Sequence, residues 1–296
     1  MMEGHQLPWV TFSDAKVWSN LERDYAGICE VFLRLAGTMK KAFEHDETSD
    51  PRNLAVYSTG RLACEDLVEI AFLAEHGYGF AALKLLRGIY ERTVVGRYIA
   101  SDPEQAQRFY DYHIIDRHKF SERASSVYAS DWPLMQDSES ETTFEAMKKQ
   151  FKYAPCVECG RSTQDSFSNH SLPALARKAS VVGQIVLQDG TVKVTTMEDA
   201  YLLGAAIPNA HIHASMWSFL QHLKSDGDVL TWNSIQEYPA EFALSFAHAN
   251  MLEAFESQNH FINLGLEEEI KDRGRDWHRI WKRGGSKPAQ DQSANL

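Results

Sequence analysis

The chain has 296 residues, 44% of them apolar and 24% charged, with a formal net charge of −11. This is globular composition, long enough for a substantial core. The acidity excludes a broad face that grips nucleic acid and leaves room only for a local basic site. The opening MMEGHQLPWV lacks a basic start and an apolar core. No stretch approaches the roughly 20 apolar residues of a membrane span. A cytoplasmic protein without membrane contact is therefore expected.

Ser13-Asp14 is a capping pair, and Leu21, Tyr25, Ile28, Phe32, Leu35 and Met39 follow at helical spacing, predicting one helix over 14–45. After the polar HDETSDPRN, a second helix is predicted over 53–76, stopped by Gly77 and Gly79. FAALKLLRGIYERTVVGRYIA (80–100) is a third and strongly apolar helix. SDPE at 101–104 restarts the helical pattern, with Ser101 or Asp102 as cap and Pro103 in the first turn. That fourth helix runs to about Tyr128, and a shorter one ends near Phe151.

Residues 153–170 read as irregular, and Ser171 caps the short LPALARKAS helix. QIVLQDGTVKV reads as a hairpin over 185–194 turning at Asp189-Gly190. Helix resumes at Glu198, is interrupted by Pro208 and continues over 209–223. Pro239 opens a long helix to about Leu264, and a last one (266–282) docks through Trp277, Ile280 and Trp281. The fold class expected is all-α, a multi-helix bundle with one small β-hairpin insertion. It forms one domain over 1–283, with a disordered tail over 284–296.

Several chemistries have no motif here. None of the 12 histidines follows a Glu by three positions, and HExxH, GxxxxGK[ST] and GxSxG are absent. GYGFAA at 77–82 follows a helix, so it reads as a helix–helix turn and not as a dinucleotide fingerprint. Of four cysteines, Cys29 and Cys64 sit in helical patterns, and Cys156 and Cys159 form a lone CxxC in a loop. A structural zinc site needs four ligands, so no metal and no cofactor is expected. Arg-x(4–6)-His spacing occurs at Arg108–His113 and Arg273–His278, about the two matches that chance gives.

Three places carry more. LLRGIYERTVVGRY sets Arg87 and Glu91 at i, i+4 among apolar neighbours, either as a structural ion pair or as the charged wall of a pocket. Arg92 and Arg97 fall on other faces and read as solvated. IPNAHIHAS places His211 and His213 about 200° apart on a helix, so one faces inward and the other outward. His213 shares a face with Asn209, as a core histidine or as a titrating group opposite Arg87 and Glu91. Lys271, Arg273, Arg275, Arg279, Lys282, Arg283 and Lys287 make the chain's end basic, either to suit a helix C-terminus or to contact phosphate.

LLRGIYE, SDPEQAQRFYDY, SLPALARKA and IPNAHIHAS together resemble a group of uncharacterised bacterial all-helical proteins, a domain of unknown function, over about residues 55 to 222. Those proteins are in turn similar in outline to the HEPN superfamily. Many HEPN proteins are metal-independent ribonucleases of toxin–antitoxin and phage-defence systems, often dimeric. The resemblance implies an RNase or defence effector acting on RNA or a nucleotide, as a homodimer, with Arg87, Glu91, Asn209 and His213 as its residues. His213 would be acid or base, Arg87 would neutralise the phosphorane and Glu91 would orient Arg87. The other reading is a non-catalytic helical protein that binds a small anionic ligand or a protein partner.

Overall fold

The computed structural model describes residues 16–43, 50–128, 141–152, 166–179, 181–186, 192–213, 216–226, 229–232 and 237–284. Its architecture is all-α. The helices are α1 (Lys16–Asp24), α2 (Ile28–Phe43), α3 (Pro51–Glu75), α4 (Gly79–Ser101), α5 (Pro103–Tyr128), α6 (Glu141–Gln150) and α7 (Leu172–Lys178). After β1 (Val181–Val186) and β2 (Val192–Thr196) come a π-helical turn (Leu202–Ala206), α8 (Ile207–Ile212) and α9 (Met216–Gln221). β3 (Leu223–Asp226), β4 (Val229–Trp232), α10 (Glu237–Ile262) and α11 (Glu267–Gly284) complete the order.

Local chemistry sets the boundaries. The Asp50 side chain accepts from the Arg52 amide at 3.0 Å and Pro51 occupies the first turn, so α3 starts there. Gly77, at φ 79, turns the chain into α4. Asp102 caps α5 by accepting from the Glu104 amide at 3.1 Å. The single helix expected over 14–45 is two, because Gly27 adopts φ 86 and breaks the run between α1 and α2.

α3, α4 and α10 pack most extensively on one another. One apolar cluster joins α3, α4 and α10 with α1, α2 and α11, through residues such as Leu35, Ile70, Leu86, Ile89, Leu244 and Met251. A second cluster joins the C-terminal half of α4 to α5, α6 and α7 through Tyr90, Val94, Ile99, Ile115, Phe151 and Leu175. α4 thus runs through both.

β1 and β2 pair antiparallel with Val186 opposite Val192, while Asp189-Gly190, the turn expected between them, lies outside the described residues. β3 and β4 form a second antiparallel pair, Leu223 opposite Trp232 and Asp226 opposite Val229, that sequence pattern does not signal. The helix expected through 198–223 is instead a π turn and two short helices. A Cβ at Gly204 in the π turn would stand 2.5 Å from the Tyr90 ring, so this turn sits flush on α4. The tail over 284–296 lies outside the described residues beyond Gly284, as do Cys156 and Cys159.

Candidate functional site

A cleft of about 650 Å³ opens at the edge of the second cluster, between α4, α5, the segment 166–170 and α7. His113 and Asp116, at i, i+3, share one face of α5 and line it. Glu91 enters from α4, and Ser166 and His170 from the opposite segment. Phe109, Tyr110, Tyr112 and Phe167 give the cleft an aromatic wall, with Phe109 edge-on to Phe167 at 5.2 Å between ring centroids.

The segment 166–170 is held in place from α5. The Arg108 side chain donates to the Phe167 carbonyl at 3.2 Å, and its guanidinium lies 4.9 Å from the centre of the Phe151 ring. Asn169 takes a left-handed φ of 53, which asparagine tolerates, and so turns the chain to present His170.

The titrating groups are tuned in opposite senses. Loss of water around the Asp116 carboxyl raises its pKa above the ordinary value, and Lys119 and His113 only hold back that rise. Burial, then the nearby Lys178 charge, lowers the pKa of His170. His113 Nδ1 faces the Tyr110 carbonyl. A carbonyl only accepts, so Nδ1 carries the hydrogen and Nε2 is the lone-pair nitrogen of the neutral ring. The cleft therefore holds a ring of fixed tautomer, a second imidazole biased towards neutrality and a carboxyl biased towards protonation.

Of the residues singled out from sequence, three meet. Arg87 donates to Asn209 Oδ1, and its Nε lies 3.9 Å from Glu91 Oε2. The pair is half-exposed, at 39% and 51%, and not buried as its apolar neighbours imply. α4 turns Leu86, Ile89 and Tyr90 inward and leaves Arg87 and Glu91 on the outer stripe. His213 does not join them. It ends α8 in extended conformation with its side chain exposed, and only its backbone amide meets Asn209, at the carbonyl, 3.1 Å. The inward histidine is His211, 5% exposed, whose Nδ1 is 3.3 Å from Ser218 Oγ.

The arginines expected in solvent are paired instead. Arg92 meets Asp66 of α3, and Arg97 meets Glu253 of α10 at 3.0 Å, because their faces of α4 look onto those helices. α11 docks through Trp277, donating to the Ser245 carbonyl at 2.9 Å, and through Trp281, 5.1 Å from Tyr25. Its outer face is not a basic edge among the described residues. Arg273 is 7% exposed, and Lys271, Arg275 and Arg279 pair with Glu268, Asp272 and Asp276. The side chains of Lys282 and Arg283, and all of Lys287, lie outside the described residues.

His113, Asp116 and His170 escape a sequence reading for a physical reason. Two of them lie on the polar face of an amphipathic helix and the third in an irregular stretch, and only packing brings them together. The Arg108–His113 spacing was the one available signal, and chance produces it as often. Among the described residues no group of three His, Cys, Asp or Glu stands ready to hold a metal ion. No helix there is long and apolar enough to cross a membrane.

No curated protein and no solved structure matches this chain. One family model does, over residues 55–230, which spans α4, the α5 face with His113 and Asp116, His170, and the Arg87–Asn209 contact. The chain belongs to the family of unknown function DUF5677.

Proposed function

We propose that the protein is a HEPN-like ribonuclease that works without a metal ion and acts in the cleft between α4, α5 and α7. The observation that carries this reading is the convergence of His113, His170, Asp116 and Glu91 on one aromatic-walled cleft of about 650 Å³. A cavity of that size takes a nucleotide, and aromatic walls suit stacked, unpaired bases.

Strand cleavage by the ribose 2′-hydroxyl needs one group to take its proton and another to protonate the leaving 5′-oxygen. Nε2 of His113 is the base, because Tyr110 holds the hydrogen on Nδ1. His170, across the cleft, is the acid. The burial that lowers its pKa makes its protonated form a stronger proton donor. Asp116 lines the same cleft one turn from His113, and the positive charge that His113 gains on taking the proton favours its carboxylate form, which in turn steadies the imidazolium. The charge on the phosphate is met by the protonated His170, and Arg87, held by Asn209 and Glu91 on α4, lies outside the cleft lining. The acid–base work passes from His213 to the cleft histidines in this mechanism.

The test is incubation of the full chain with total RNA in the presence of a chelator. Fragments ending in 2′,3′-cyclic phosphate support the reading, and intact RNA overturns it. Intact RNA together with a nucleotide bound in the cleft would leave the non-catalytic binding reading in its place.

A further inference from the structure

Phe80, Lys84, Arg87 and Glu91 follow at i, i+4, i+7 and i+11, so they form one stripe along α4, about 16 Å long at 1.5 Å per residue. Glu91 ends the stripe at the cleft. The other end has different chemistry. Phe80 packs against two imidazoles, His211 of α8 at 5.0 Å and His222 just after α9 at 3.9 Å between ring centroids. Lys84, one turn on from Phe80, is exposed, and Arg87, one turn further, is fixed by Asn209 of α8. Ser218 of α9 adds its hydroxyl beside His211.

We propose that Lys84, Arg87, His211 and His222 form a second site, separate from the cleft, that binds a phosphoryl group. Three elements bring an ammonium, a guanidinium and two imidazoles to one end of one helix stripe, in a chain whose net charge of −11 otherwise repels anions. The guanidinium is pre-oriented, which suits the fork geometry of phosphate. Beyond burial, the charges that hold the two imidazoles below their ordinary pKa are Lys84 on both and His222 on His211. A bound anion reverses that effect, favouring the imidazolium forms and gaining two further charged donors.

The chemistry is shared by two sources, a free phosphomonoester and the backbone of an RNA strand. The distance along α4 from Lys84 to Glu91 is about 10 Å. A strand processed in the cleft can therefore continue onto this site, but the site stands whether or not the cleft cleaves RNA.

The experiment is a proton NMR titration of the histidine resonances of the full chain with three probes: inorganic phosphate, a nucleoside monophosphate and a short oligoribonucleotide. The expected result is movement of His211 and His222 towards their protonated positions. Lys84→Ala is expected to weaken phosphate binding about tenfold, the loss of one hydrogen bond to a charged group. Lys271→Ala, which removes the same charge elsewhere, is expected to leave it unchanged. Tighter binding of the oligonucleotide, weakening steeply with salt, identifies the strand as the source. Equal or tighter binding of the monophosphate identifies the free ligand. The proposal is overturned if neither imidazole moves with any probe, or if both move equally in Lys84→Ala. This readout does not involve cleavage, so its failure is distinct from failure of the ribonuclease reading.

Discussion

His248 is completely buried, and Trp281 Nε1 donates to its Nδ1 at 3.4 Å. Burial, then the Arg273 charge, pushes its pKa down to about 3 from 6.5. The unfolded chain thus binds this proton more readily than the folded one, and the contribution to stability is lost as pH falls from 6.5 towards 3. Glu253 behaves oppositely. Burial raises its carboxyl to about 8 from 4.5, although Arg97 lies 3.0 Å away and pulls the other way. Its contribution is complete below pH 4.5 and is lost as pH rises towards 8. Denaturant midpoints measured across pH should therefore show a decline over that range that flattens in Glu253→Gln. An unchanged slope in that variant would mean that Glu253 is already ionised in the fold. Arg87 is a different case, because it is half-exposed. Arg87→Ala should cost no more than about 1 kcal/mol of stability, as exposed pairs do. A loss of several kcal/mol in equilibrium unfolding would show the pair to be shielded from water.

At the scale of the element, α4 explains what is legible from sequence and what is not. Its apolar residues announce a buried helix, and Leu86, Ile89, Tyr90 and Val94 are buried. The same composition misleads about Arg87 and Glu91, since a helix flanked by apolar residues still has an outer stripe. α5 gives the converse. Its polar surface reads as solvated, yet His113 and Asp116 line the cleft of about 650 Å³. Which polar residues of an amphipathic helix face a neighbour depends on where α7 and the 166–170 segment pack, and periodicity carries no record of that. LKSDGDVLTW is too short to separate a hairpin from a fraying helix, so β3 and β4 were not legible either.

Two variants test these packings. Gly204→Ala drives a Cβ into the Tyr90 ring, whose hydroxyl is itself committed to the Met197 carbonyl at 2.6 Å. It should lower stability by about 1–3 kcal/mol, as overpacking does, and a thermal shift near zero would mean that the π turn is free to move off α4. On α11, Arg275 and Arg279 already pair with Asp272 and Asp276. Reversing their charge should leave any RNA affinity, and its salt dependence, close to that of the unaltered chain. A marked loss would restore the helix as a phosphate-contacting edge.

Across the whole molecule, two apolar clusters meet along α4, and the candidate chemistry lies on the surface of the second. Sequence pattern accounts for the all-α architecture and for the docking of α11. It also anticipates the pairing of Arg87 with Glu91, because the i, i+4 signal is local. It selects His213 over the cleft histidines because a proline and a paired imidazole are visible in a linear string, whereas a cleft built from α4, α5 and α7 is not. In the reading proposed above, function resides in that cleft. Its most direct measurement is the rate at which the full chain cleaves a defined single-stranded RNA in the presence of a chelator, compared among His113→Ala, His170→Ala and His213→Ala. Loss of an acid or base costs about 10²–10⁴-fold, and the account predicts losses of that order for the first two variants and a rate close to that of the unaltered chain for the third. RNA left intact by the unaltered chain, or a loss confined to His213→Ala, would contradict it.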